Sequence, residues 1–370
     1  QWPDGGWNCD KHPAASHSSF HETWIPLLAL KAYADASGSP RVYEAVERAS
    51  EVFLSHQLYK RKSDGAVMDE QFTRLAYPAY WHYDILAGLR VVAAVGSAVR
   101  GFREGDEVIC QPSGYCGVCR FCREGNTHYC EQSFTTGGDG PPEVWPGAFA
   151  EYMRTRETCL FHKPAEVSFD AAALTEPLSG AWKGLIQYSG LQVGDDAVIV
   201  GTGGIGLLCV MVARAAGAGR LVAIDPSPFA RANALRLGAT HALDAAAGQL
   251  RQQVYRILPD GPDVIVEAAG PIAAVRLMVE LLRRGTRWNV FGITTPERFE
   301  LEGGLTHFLE ARMDASFGTT PRAMQRAIRL MAGGLVDPEQ IVSHRFPLAR
   351  IDQAVAAMGQ PERNKVIVNP

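Results

Sequence analysis

Short apolar runs that end in glycine or an acid, each followed by a stretch of helical period, dominate the second half of the chain. Val198-Ile199-Val200 breaks into Gly201-Thr202-Gly203-Gly204-Ile205-Gly206 and resumes as Leu207-Leu208-Cys209-Val210-Met211-Val212-Ala213. An unbroken apolar run of this kind predicts a strand buried on both faces, and the run after the glycines predicts a helix packed on it. Residues 221–225, 242–243, 263–267, 287–291 and 313–317 predict further strands with helices between them. Strictly alternating strands and helices imply an α/β doubly wound sheet of parallel strands.

The pattern upstream is different. Residues 147–153 alternate like a half-buried strand, and 159–164 predict another. A helical pass then carries Leu174-Thr175-Glu176-Pro177-Leu178-Ser179. Near the start, Ser19 and Glu22 form a capping box ahead of a helix over residues 24–30. Pro40 opens a second helix, with Val42, Val46, Ala49 and Phe53 on one face. Residues 80–89 admit a helix with Ile85, Leu89 and Val92 at helical spacing, whereas residues 91–96 read as a strand. The change of character lies near 88–91.

Composition narrows the class. The chain has 370 residues, 46% of them hydrophobic and 21% charged, and suits a globular protein of two or three domains. A formal charge of −4 with no basic face or tail argues against nucleic acid and membrane surfaces as partners. With neither a membrane-length apolar run nor an export signal, the expected location is the cytoplasm. Four of the eight cysteines crowd between Cys116 and Cys130, which in a reducing compartment reads as metal binding rather than disulfides.

Two constellations carry chemistry. In the glycine turn, Gly201 permits the sharp bend, Gly203 the close approach of a pyrophosphate, and Gly206 the packing of helix on sheet. The helix start at Gly204 and Ile205 offers free N–H groups to phosphate. Asp225 ends the next strand at the ~20-residue distance expected of a carboxylate that accepts from a ribose 2′-hydroxyl, which favours NAD over NADP. The second is Cys116, Cys119 and Cys122 with Cys130 seven residues beyond. Four thiolates so spaced can close a tetrahedral structural zinc site. Cys110, Cys159 and Cys209 read as small core residues.

From about residue 90 to the C-terminus the sequence resembles the zinc-containing medium-chain dehydrogenases, the alcohol, sorbitol and threonine dehydrogenase family. The likeness rests on V-x-x-V-G … G-D-x-V at residues 92–108, the C-x2-C-x2-C-x7-C lobe, G-x-F-A-E-Y at 147–152, E-P-L at 176–178 and the glycine turn. It implies a GroES-like barrel over 90–177 and 336–370, incomplete at its start, and a Rossmann domain over 178–335. It further implies that Ala268 and Gly292 line the NAD site and that Glu176 lies at a catalytic zinc. The family's histidine ligand would fall at Leu86, which cannot bind metal; His82 and Asp84 are nearby but out of register, so the catalytic zinc lacks two expected ligands.

Residues 1–89 open with Gln1-Trp2-Pro3-Asp4-Gly5-Gly6-Trp7, which resembles the QW repeats of squalene cyclases and prenyltransferase-like α/α toroids. Cys9, His12, His17 and His21 match no common zinc spacing. The expected activity is hydride transfer from a secondary alcohol or polyol to NAD in a homo-oligomer. The alternatives are a noncatalytic NAD- and zinc-binding protein and an inactive joining of two genes.

Overall fold

The computed structural model describes residues 30, 33, 39–55, 85–87, 91–135, 147–292 and 298–370. The chain divides into two compact units, Gln1–Pro78 and Ala79–Pro370. In the first, the helix Pro40–Ser55 forms where proline opened the predicted pattern, and Val46 and Ala49 are buried with Val42 and Leu30 packed on them. The QW-like opening, residues 24–29 of the helix expected over 24–30 and the cluster of Cys9, His12, His17 and His21 lie outside the described residues, as do His82 and Asp84; Leu30 is helical.

The second unit is built on a six-stranded parallel sheet. Its strands are β1 (Ala197–Val200), β2 (Leu221–Asp225), β3 (His241–Asp244), β4 (Val264–Glu267), β5 (Arg287–Val290) and β6 (Arg312–Ala315). Across the sheet they run β3-β2-β1-β4-β5-β6. The order reverses between β1 and β4, and a crevice opens there at the carboxyl ends of the strands. Each strand predicted for this sheet forms within two residues of its expected ends. His241 opens β3.

β1, β2 and β4 are buried along their whole length, as their unbroken apolar runs require. On one face Val198, Val222, Ile265 and Trp288 meet Val275, Met278 and Leu281 of the helix Ile272–Leu281. On the other, Ile199, Ala223 and Val266 meet Leu207, Leu208 and Val210 of the helix Gly204–Ala215, and the helices Thr175–Trp182 and Pro321–Ala332 complete that layer. Helix starts follow local chemistry: Ser227 and Thr320 each accept from the amide three residues on, and each precedes a proline.

Around this sheet stand smaller ladders. Val108–Cys110 pairs antiparallel with Leu160–His162. The C-terminal strand Lys365–Asn369 lies between Val342–Pro347 and Ile85–Ala87, parallel to both. The helical reading of residues 80–89 is therefore replaced by a strand at Ile85–Ala87. Residues 91–96 make a single bridge, Val91 to Glu107, instead of a full strand.

Residues 147–153 also depart from expectation. They bend, and most are exposed, including Phe149 and Tyr152. An alternating pattern needs a partner ladder to become a strand, and no described strand pairs with this segment.

Candidate dinucleotide cavity and cysteine lobe

The glycine turn sits at the carboxyl end of β1, facing the reversal of strand order. Gly201 has φ +84°, and a Cβ on it would lie 2.5 Å from the Ala269 Cβ. A Cβ on Gly206 would lie 1.8 Å from the Gly201 carbonyl oxygen, so turn and helix close up only without side chains. Gly203 faces open space, leaving its backbone accessible. Gly204 starts the helix against the stem of buried Lys365, whose Cε is 2.7 Å from where a Cβ would stand.

Asp225 holds this turn from β2. One carboxylate oxygen accepts from the Thr202 amide at 2.7 Å and the other from the Ser227 amide at 2.8 Å. Each oxygen has a second lone pair for an incoming hydroxyl. The Thr202 hydroxyl oxygen is buried without a partner. Open backbone at Gly203, an orphaned hydroxyl and a helix N-terminus together fit a bound dinucleotide. Arg231 donates to the carbonyls of Asp225 and Pro226 and pairs with Asp244.

Glu267, at the end of β4, escaped the sequence reading because a lone acid at the end of an apolar run carries no spacing signal. It is fully buried, and its carboxylate accepts from the amides of Ala269, Gly270 and Gly292. Burial raises its pKa while those amides pull it down. It thus ties the segment Ala268–Gly270 to the Gly292 backbone across two strands. Ala268 itself donates to the Val200 carbonyl at 2.8 Å.

A cavity of about 230 Å³ opens beside these groups, lined by Glu176, Ile205, Phe291, Gly292, Ser316 and Phe317 among others. Glu176 reaches it from the first turn of the helix Thr175–Trp182. Burial raises its carboxyl to about 7, against the opposing pull of Lys365 and Lys183. Lys183, fully buried, is lowered to about 8 by desolvation, partly offset by Glu176. Two buried lysines near a half-buried acid at the cavity wall are invisible in sequence, where each reads as surface charge.

The cysteine lobe is a separate site. The sulfurs of Cys116, Cys119, Cys122 and Cys130 all lie within 4.8 Å of one another, and Cys116 and Cys122 are 3.9 Å apart. Four thiolates on one zinc stand about 3.8 Å apart, as bonds of about 2.3 Å in a tetrahedron dictate, so the donor set fits that ion. Backbone amides already point at the sulfurs: Val118 and Cys119 donate to Cys116, and Cys116 and Gln132 donate to Cys130. The amides of Val118 and Cys119 hold the Cys116 thiol down at about 6, whereas burial pushes Cys122 up to about 12; a bound metal would draw both to the thiolate form it needs. Among the described residues this is the one group of three or more His, Cys, Asp or Glu donors placed to share an ion, and none of these residues joins Glu176 in a second such group.

A fold ordered as a dinucleotide-binding sheet, with a four-thiol lobe beside it, defines a class of metal-binding oxidoreductases. The chain belongs to the zinc-binding dehydrogenase family. The description "Zinc-binding dehydrogenase" matches residues 204–333, and "Alcohol dehydrogenase GroES-like domain" matches residues 62–165. Among curated relatives, the sorbitol dehydrogenase of Bacillus subtilis (strain 168) is 32% identical over 286 residues, covering 75% of this chain and 78% of its own. An L-threonine 3-dehydrogenase of Chromobacterium violaceum is 31% identical over 281 residues, covering 75% and 80%. The alcohol dehydrogenase of Thermus sp. ATN1 superposes with a TM-score of 0.70 at 28% identity, over 76% of this chain and 82% of that one. A zinc-binding dehydrogenase-type chain of Sinorhizobium meliloti 1021, solved with NADP, gives 0.69 at 30% identity, over 76% and 81%. The chain is thus an oxidoreductase that uses zinc and a nicotinamide dinucleotide, and the comparisons favour this over the noncatalytic and joined-gene readings. No described helix is long and apolar enough to cross a membrane.

Proposed function

We propose that the protein transfers hydride from a secondary alcohol, polyol or amino alcohol to NAD. The observation that carries this reading is the cavity in which Glu176, Ile205 and Gly292 meet, beside the glycine turn and beyond the carboxyl ends of β5 and β6. The turn residues Gly201, Gly203, Gly204 and Gly206 would hold the pyrophosphate, Asp225 the ribose, and Ala268 and Gly292 the nicotinamide side. The dinucleotide supplies the hydride acceptor. Glu176, with its carboxyl raised to about 7, is placed in its ionised form to take up the proton that leaves the alcohol. Cys116, Cys119, Cys122 and Cys130 would hold a structural zinc. The alcohol or polyol class follows the relatives' names, sorbitol and threonine dehydrogenase.

The domain limits extend the same reading: a GroES-like part over 90–177 and 336–370, carried back through the strand Ile85–Ala87 into the match that begins at residue 62, the Rossmann part over 178–335, and a toroid-like fragment ahead of residue 62. The last is supported by the QW-like opening and the amphipathic helix Pro40–Ser55. Assembly with copies of itself in the cytoplasm completes the proposal. Edge strand β6 exposes Met313, and Phe317 just beyond it is also exposed, an apolar rim suited to a like chain.

Asp225 sets the test. A carboxylate repels a 2′-phosphate, so NADH should bind at least about tenfold more tightly than NADPH, a difference of ~1.4 kcal/mol. Fluorescence titration with both dinucleotides measures this. Equal or reversed affinities would remove Asp225 from the ribose site.

A further inference from the structure

The cysteine lobe and the dinucleotide cavity are joined by a short chain of polar contacts. His128 lies between Cys122 and Cys130, in the turn Thr127–Tyr129. Its Nε2 is 3.0 Å from the Tyr188 hydroxyl, and its Cβ lies 3.8 Å from where a Cβ on Gly318 would stand. Tyr188 ends a π-helical turn, Lys183–Tyr188, that continues the helix carrying Glu176. The Lys183 ammonium lies 5.4 Å from the centre of the Tyr188 ring and donates to the Phe317 carbonyl at 2.6 Å. Phe317 and Gly318 are themselves walls of the cavity. The Tyr188 carbonyl accepts from Arg312 of β6, two residues before Asp314 and five before Phe317.

Simple packing would not select these groups. A fully buried ammonium is costly beside a methionine of similar length unless it is hydrogen-bonded, as Lys183 is to the Phe317 carbonyl, and π-turns are kept mostly where a site needs them. Ser316, next to Phe317, leaves its hydroxyl oxygen buried without a partner in the cavity wall. The wall from Ser316 to Gly318 is therefore held from behind by Lys183 and abutted by His128.

We propose that His128, Tyr188 and Lys183 are positioning residues that couple the cysteine lobe to the Phe317–Gly318 wall of the dinucleotide cavity, so that metal held by the four thiols sets how well that wall is formed. This rests on the dinucleotide reading of the cavity only for its functional consequence. Coupling between sites is reciprocal, so bound NADH should also slow the loss of zinc to a chelator.

The test uses the full chain loaded with zinc, with hydrogen exchange followed over residues 315–320 and, as an internal standard, over β1. Tyr188→Phe deletes only the hydroxyl, and Lys183→Met leaves the lobe untouched should the first variant lose its metal. Each is expected to speed exchange over 315–320 by about tenfold, as stripping zinc from the parent should, with β1 unchanged and NADH binding weakened by about the same factor. The relay is overturned if exchange over 315–320 stays within about twofold of the parent in the zinc-loaded variants, or if stripping zinc leaves it unchanged. A parent that binds no NADH would instead sink the dinucleotide reading, while the exchange measurement still decides the relay.

Discussion

Glu176 is an acid kept where its charge is costly. Its carboxyl is raised from 4.5 to about 7 by burial, which outweighs two nearby ammonium groups. An acid shifted upward binds its proton more tightly in the folded protein. Its contribution to stability is complete below the unfolded value and is lost as pH climbs through the folded one. Glu176→Gln removes that loss. The variant should match the parent near about pH 4 and exceed it by on the order of 2–3 kcal/mol at about pH 8, by urea unfolding at each pH. Stability curves that run parallel across this range would contradict the burial of Glu176 as described. At this scale the sequence was uneven in what it disclosed. Gly201, Gly206 and Asp225 were legible because turn geometry admits few residue types at those positions. Glu267, Lys183 and Lys365 were not, since only tertiary packing decides whether a charged side chain is buried.

Among the elements, the cysteine lobe has the least secondary structure of its own: a four-residue helix, Arg120–Arg123, and the turn Thr127–Tyr129. Thiolate–metal bonds must supply the cohesion that so little apolar burial cannot. Cys130→Ser should therefore lower bound zinc from about one per chain to near none, by metal analysis of purified protein. Retention of zinc would show that Cys130 does not close the site. The parallel sheet was legible because strands buried on both faces must be apolar throughout. The segment 147–153 was misread for the converse reason: alternation records that one face could be covered, and strand formation needs a neighbour to cover it. The strand Ile85–Ala87 was hidden by the opposite ambiguity, an apolar triplet too short for its period to be read.

At the scale of the molecule, the fold agrees with solved zinc-binding and alcohol dehydrogenases, and the sequence with relatives, that cover about three-quarters of the chain. The family was legible from residue 90 onward because its motifs are spaced by chemistry: phosphate approach, tetrahedral closure, ribose contact. The substrate was not, since a cavity lined largely by Gly, Pro and apolar residues encodes shape more than type. The central claim is hydride transfer to NAD, and direct observation tests it most simply. Purified zinc-loaded protein, mixed with NAD and a panel of polyols and amino alcohols, should build up the absorbance of reduced nicotinamide with at least one of them. Tight NADH binding with no reduced nicotinamide formed from any member of the panel, at any pH from about 6 to 10, would contradict it.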